Sequence, residues 1–435
     1  MKNKAKEGNE PVISFTTFSF GCRVNEAERQ ALESRLIEAG YTFDNRHPDV
    51  CFIHTCAVTA KAVREARQLI YQLQRQYPKA KIIVTGCAAA YWRKNALPPL
   101  SSQVTISESR DPSTLILKGN RGIPRLQQSP VGMMNNNKMI KSGRLLLKIQ
   151  DGCQRFCTYC IVPYLRGRPK SETIQNLEFR VKNFETKIQE VILTAINTEA
   201  FGYDTGEKFT DLLKTIIDKT TVPRISCGSI NPWSVNDDFL RFYKKNLTRN
   251  RFVNFFHIPL QSGSNKILAL MKRGYTAEEF MKKVNAIHKI NPFALIATDV
   301  IVGFLDETEK DFEDTYRFLE KSPIAKFHIF RYSKRDNTAA CFMAKRLREP
   351  QAAVKNERAK RLKALGDRKY NQFLSALIDY NSTALFIDKR EDGYQKALLD
   401  NQIPAWIKAE KNLNGHIKNV RITEFKKGEL FGKID

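Results

Sequence analysis

No uninterrupted apolar run in this 435-residue chain reaches the length of a membrane-spanning helix, which argues against a protein built into a bilayer. The first ten residues, Met1 to Glu10, are polar and mixed in charge, unlike a secretory signal, so the expected location is cytoplasmic. Long-period repeats are missing as well. Acidic residues are scarce, 46 Asp and Glu against 72 Lys and Arg, for a formal charge of +26. A surplus of that size draws a chain to a polyanion such as nucleic acid, although solubility alone is the blander reading. Nine cysteines, an odd number with no secretion signal, speak for metal ligands or core thiols rather than a disulfide framework.

A chain this long, 42% hydrophobic, is expected to form two or three domains, each burying its own core. The first hundred residues alternate strand-like runs (ISFTTFSF, DVCFIHT, AKIIVTG) with amphipathic stretches, the pattern of an open parallel α/β sheet. Cys22, Cys56 and Cys87 each fall just past one of these strands. In such a sheet those turns share one edge, so three thiols distant in sequence can converge. Residues 119–143, rich in Gly, Asn, Pro and Ser, read as a linker. A second series follows from 144 to 340, with strands at RLLLKIQ, EVILTAIN, RISCGSI, FFHIPL, LIATDVIVGF and KFHIFRYS. Six β-α units predict a partial (β/α)6 barrel with its site at the carboxyl ends of the strands. Residues 341–376 read as a basic helical connector, and 377–435 as a small C-terminal β domain of short alternating strands with Asp-Gly and Asn-Gly turns.

The run DGCQRFCTYCIVP places Cys153, Cys157 and Cys160 in a C-x3-C-x2-C loop just after the first barrel strand. Three thiolates at this spacing can hold three corners of a 4Fe-4S cluster and leave the fourth iron open. That vacancy suits S-adenosylmethionine, whose reductive cleavage gives a 5′-deoxyadenosyl radical. Structural zinc is the rival, but it needs a fourth protein ligand and none stands nearby in sequence. Tyr159 could pack on the adenine or belong to the core. Cys51, Cys227 and Cys341 lack cluster spacing and are expected to be buried thiols. His257 and His328 are expected as core or supporting histidines rather than metal ligands.

These blocks resemble the radical-SAM methylthiotransferases: FGCRVN, HTCAVT and GCAAA, then DGCQRFCTYCIVPYLRGR, HIPLQSGSNKILALMKRGYTAEEF and TDVIVGF. The match runs through nearly the whole chain. It implies that Cys22, Cys56 and Cys87, within residues 12–118, ligate an auxiliary 4Fe-4S cluster carrying the sulfur to be inserted, beside the radical cluster of Cys153, Cys157 and Cys160. GCRVN, TCAVT, GCAA and KIQDGC look most like the branch acting on N6-threonylcarbamoyladenosine at tRNA position 37. Other targets within the family are another tRNA adenosine or a protein side chain. A non-catalytic RNA-binding iron–sulfur protein is the alternative of a different class.

The resemblance further implies two uses of S-adenosylmethionine, one as methyl donor to sulfur and one as radical source for hydrogen removal from C2 of adenine. Gly263 and Gly303 would approach that cofactor closely. A tRNA anticodon loop, a reducing electron donor and a sulfur donor are the expected partners of a monomer. The 377–435 segment would correspond to the family's TRAM domain. Lys345, Arg346, Arg348, Lys355, Arg358, Lys360, Arg361, Lys363, Arg368 and Lys369 would hold RNA phosphates, although a solvated face is the plainer reading. Departures from the family pattern stand at Ala195, Asn231, Leu305, Asp306, Arg331, Asp336 and Asn337, near barrel strand ends, and bear on the identity of the substrate.

Overall fold

The computed structural model describes residues 13–94, 101–107 and 143–435, which fall in two compact units, 1–139 and 140–435. The expected linker lies outside the described residues except for Gly143.

In the first unit β1 (Ser14–Ser19), β2 (Thr42–Phe43), β3 (Val50–Thr55), β4 (Lys81–Gly86) and β5 (Val104–Ile106) form a parallel sheet in the order β2-β1-β3-β4-β5. The two-residue β2 and three-residue β5 were not expected, being too short to show a period. Every residue of β3 is buried, as a central strand covered on both faces must be. The crossover helix Ala60–Gln76 begins at Thr59, whose hydroxyl accepts the Ala62 N–H, and buries Val63, Ala66, Ile70 and Leu73 along one face. Phe15, Leu32, Leu36, Phe52 and Ile83 form the core under the helix Arg23–Glu38.

In the second unit β6 (Arg144–Asp151), β8 (Glu190–Ala195) and β9 (Arg224–Cys227) pair in parallel, as do β10 (Phe255–His257), β11 (Leu295–Val302) and β12 (Lys326–Arg331). Isolated parallel bridges, Ile225 to Phe252 and Ser229 to His257, join the two sets, giving the six strands of a partial barrel. A two-residue strand, β7 (Lys170–Ser171), adds antiparallel to β6 and was not foreseen. Capping boxes at Thr276 with Glu279 and at Thr308 with Asp311 start the outer helices Ala277–Ile290 and Glu309–Lys321.

The C-terminal strands β13 (Asn381–Glu391), β14 (Tyr394–Leu399), β15 (Pro404–Lys408), β16 (Ile417–Lys426) and β17 (Glu429–Ile434) close into a five-stranded barrel. It docks on the amino ends of the core strands. Arg224 donates to the carbonyls of Leu398 and Leu399, and Asn254 donates to Asp400 at 2.8 Å. Gln402 donates at 2.6 Å to Glu190, a fully buried carboxylate that also pairs with Arg144 and accepts from Ser226. The cysteine loop follows the carboxyl end of β6, so the β-barrel seals the end of the core away from it.

No helix among the described residues is long and apolar enough to cross a membrane. Cys51 and Cys227 are buried as expected, whereas Cys341 is half-exposed on the helix Ala339–Met343. The basic connector needs a larger correction. Pro350 precedes the helix Ala352–Ser375, and much of that helix's charge turns inward. Lys355 and Arg358 are buried. Arg358 pairs with Glu307 at 2.6 Å and with Glu309, and Lys355 pairs with Glu349. Arg361 binds Glu309 and Glu313, Arg368 binds Glu320, and Lys369 donates to the carbonyls of Glu320 and Ser322 at the end of the helix Glu309–Lys321. Charge composition alone cannot say which face of a helix packs. Here the face lies against an acidic helix, so Lys355 and Arg358 are taken up within the fold, while Arg361 and Arg368 pair across it and stay partly exposed. Lys345, Arg346, Arg348, Lys360 and Lys363 are exposed, the last paired to Asp367.

Candidate metal centres

At the carboxyl edge of the first sheet the turns after β1, β3 and β4 carry Cys22, Cys56 and Cys87. Register puts these turns side by side, since Ser19 pairs with His54 and Thr55 with Gly86. Side chains lace them together. Asn25 donates to the carbonyls of Phe20 and Thr55, and Thr55 Oγ1 donates to Thr85 O and accepts from the Ala89 N–H. Gly21 adopts φ +85°, and a Cβ there would stand 2.6 Å from Cβ and 2.7 Å from Sγ of Cys56. The backbone at Gly21, next to Cys22, therefore passes directly against Cys56, which only glycine allows. Cys22 caps the helix Arg23–Glu38 and Cys87 opens the helix Cys87–Lys94, so both sulfurs stand at helix N-termini, which favour negative charge.

In the second unit the loop from Cys153 to Cys160 is pinned from three sides. Cys153 N–H donates to Gly167 O, Thr158 N–H to Met271 O, and Ala340 N–H to Thr158 O. Cys153 Sγ accepts from the Arg155 N–H at 3.5 Å and from Asn197 at 3.6 Å. Burial, then the neighbouring Cys157, pushes the Cys160 thiol up to about 12, and burial also raises Cys153. Thiols so placed ionise when a cation takes the proton's place.

Arg273, 116 residues from Cys157, was not visible in the sequence. It is 5% exposed, and it donates to Cys157 Sγ at 3.4 Å, Tyr159 OH at 3.2 Å and Pro259 O at 3.1 Å. Trp233 and Tyr275 face it. Among the described residues no carboxylate pairs with it. Burial would lower its pKa, but Tyr159, Tyr275 and Cys157 raise it instead, so it is a fixed cation. A buried guanidinium with only neutral oxygens, rings and one thiol around it needs an anion. A thiolate-ligated cluster beside Cys157 supplies one.

Tyr159 stands edge-on to Phe304 and packs on an apolar cluster with Ile267, Met271 and Leu305. A Cβ on Gly263 would meet Thr315 Cα at 2.7 Å, and one on Gly303 would meet Lys355 Cγ at 2.3 Å. Both glycines thus lie in close contact with neighbouring helices. The departures are accommodated. Asp306 and Asn337, where the family usually has glycine, take φ of 53° and 63°, a left-handed geometry that Asp and Asn tolerate best among non-glycine residues. Asn231 N–H donates to Thr198 Oγ1 at 2.9 Å, joining the loops that follow β9 and β8, and Ala195 is buried at the end of β8. Leu305 is fully buried and Arg331 is exposed.

The Radical SAM superfamily matches residues 147–319, and Uncharacterized protein family UPF0004 matches residues 14–104. Threonylcarbamoyladenosine tRNA methylthiotransferase MtaB of Aquifex aeolicus (strain VF5) is 33% identical over 408 residues, covering 88% of this chain and 97% of that protein. The protein of the same name in Bacillus subtilis (strain 168) is 31% identical, covering 94% of this chain and 93% of that one. The solved structure of TsrM, a radical S-adenosylmethionine methyltransferase from Kitasatospora setae with cobalamin and a 4Fe-4S cluster bound, has a TM-score of 0.50 at 12% identity. It covers 74% of this chain and 75% of its own, a likeness of fold. With the cysteine turns of both units in place, the matches along its length show that this chain belongs to the radical-SAM methylthiotransferases, among the relatives named MtaB.

Proposed function

We propose that the chain is a tRNA methylthiotransferase that inserts a methylthio group at C2 of N6-threonylcarbamoyladenosine at position 37, beside the anticodon. The observation that carries this is the pair of cysteine trios gathered at strand ends, in a chain whose relatives are named for that nucleoside along nearly their full length. Cys153, Cys157 and Cys160 hold one 4Fe-4S cluster with an open corner for S-adenosylmethionine, and Cys22, Cys56 and Cys87 hold the other. When bound, these groups supply a 5′-deoxyadenosyl radical and the sulfur to be transferred. Arg273 balances the charge at Cys157 and orients Tyr159, while Asn197 and the Arg155 N–H fix the Cys153 sulfur.

The enzyme works in the cytoplasm as a monomer, drawing on a reducing electron donor and a sulfur donor. Anticodon-loop bases are splayed and can be read on their edges. Phosphate contact comes from exposed cations of the β-barrel, Lys408, Lys418, Arg421, Lys426 and Lys433, together with Lys345 and Arg346. Because the barrel docks at the amino ends of the core strands, the RNA must extend along the second unit to reach both. The test is nucleoside mass spectrometry of tRNA from a strain lacking this chain. Loss of the 2-methylthio-N6-threonylcarbamoyladenosine peak is expected, with its return on complementation. An unchanged peak overturns the assignment.

A further inference from the structure

The lumen of the partial barrel carries a donor group that the cysteine sites do not use. Asp299 on β11 stands in register with His328 on β12, His257 ends β10, and Ser229 follows β9. Asp299 Oδ1 lies 2.8 Å from His257 Nε2 and 3.3 Å from His328 Nδ1. The remaining ring nitrogen of His257, Nδ1, is 2.6 Å from Ser229 Oγ. One donor atom from each of His257, Asp299 and His328 lies within 4.8 Å of the other two.

Burial alternates along β11. Thr298, Val300 and Val302 are buried against the outer layer, while Asp299 and Ile301 are half-open. Ile301 belongs to the apolar cluster that also holds Tyr159 of the cysteine loop, so Asp299 sits one pleat below that loop on the same face. Exposure rises across the group, from 15% for the His257 side chain to 20% for Asp299 and 41% for His328. It is most open at the His328 end.

Two imidazole nitrogens converge on one carboxylate oxygen. A ring nitrogen and a carboxylate oxygen 2.8 Å apart share either an N–H hydrogen bond or a bound metal ion. Ser229 Oγ can accept the Nδ1–H of His257, which fixes the tautomer that leaves Nε2 with a lone pair. One divalent ion satisfies the three donor atoms at once, as two N–H groups donating to the two lone pairs of that oxygen also would. Two imidazoles and one carboxylate with open positions suit a first-row divalent cation.

We propose that His257, Asp299 and His328 form a divalent-cation site in the lumen of the radical-SAM core, with Ser229 setting the tautomer of His257 and the remaining coordination positions open toward His328. The proposal stands on these four side chains, whichever nucleoside the chain modifies.

Mn2+ is the probe, because thiolates bind it poorly and it reports its own binding through loss of the free-ion EPR signal. Protein loaded with both clusters should take up one Mn2+ per chain. His328→Ala and Asp299→Asn should each weaken uptake at least tenfold, and Ser229→Ala about tenfold, the cost of losing an orienting partner. Iron content and thermal midpoint should match the parent. His328 lies at the exposed edge, so its variant keeps the test valid if the Asp299 variant fails to fold. No Mn2+ uptake by the loaded parent, or equal uptake by parent and His328→Ala, overturns the metal site and leaves the trio a proton-bridged support.

Discussion

The guanidinium of Arg273 reaches the Cys157 sulfur at 3.4 Å from a position where no carboxylate among the described residues pairs with it. A positive charge beside a redox centre stabilises the more negative, reduced form, so its removal should make reduction harder. Arg273→Met is expected to lower the midpoint potential of the radical cluster by about 60 mV or more, a tenfold change for one electron. Arg273→Lys keeps the charge and should shift it less. EPR-monitored redox titration at unchanged iron content checks this, and a potential unmoved in the methionine variant contradicts it.

The two cysteine trios should fail independently. Serine at Cys22, Cys56 or Cys87 should reduce iron from about eight to about four per reconstituted chain, while 5′-deoxyadenosine is still released. Serine at Cys153, Cys157 or Cys160 should abolish that release. Gly21→Ala, which drives a methyl against Cys56, should behave like the first group. Iron analysis paired with chromatography of the cleavage product separates the outcomes, and full iron in Gly21→Ala would show that the turn can relax.

Basic residues should divide by their partners rather than by their charge. Arg358→Ala strands Glu307 and should cost about 3 kcal/mol of stability, the scale of breaking a buried ion pair, with little change in tRNA affinity. Lys418→Glu, Lys426→Glu and Lys433→Glu should leave the thermal midpoint alone. Each should flatten the slope of log affinity against log salt by about one. Denaturant titration and filter binding across salt concentrations measure the two effects.

At Asn337, φ 63°, glycine should be tolerated within about 0.5 kcal/mol, whereas valine should cost about 1–2 kcal/mol for entering the left-handed region. Urea unfolding of both variants decides it. The same logic covers Asp306, whose carboxylate also accepts the Arg348 N–H at 2.7 Å.

The long strands of both units were legible because β3, β4, β8 and β11 are short, largely apolar runs between turn signals, β11 broken by Thr298 and Asp299. The convergence of Cys22, Cys56 and Cys87 was legible too, since a parallel sheet brings the ends of successive strands to one edge. Arg273 and the trio of His257, Asp299 and His328 were not. They come from separate strands and loops, and only the closure of the barrel makes them neighbours. The inward turn of Arg358 was hidden for another reason, since its partners Glu307 and Glu309 lie some 50 residues upstream on a loop and a helix with no matching period. Short edge strands such as β2 and β7 carry too few residues to show any pattern.

Neighbouring parallel strands stand about 4.8 Å apart, whatever their sequence. Because Cys22, Cys56 and Cys87 follow three adjacent strands, the separation of their turns is inherited from the hydrogen-bond ladder and not from the segments that connect them. The placement of these three cysteine turns is therefore insulated from the loops at the opposite edge. Residues added or removed in the crossover between Tyr77 and Lys81, at the far edge of the sheet, can vary without moving these turns, while a single methyl at Gly21 would press directly on Cys56.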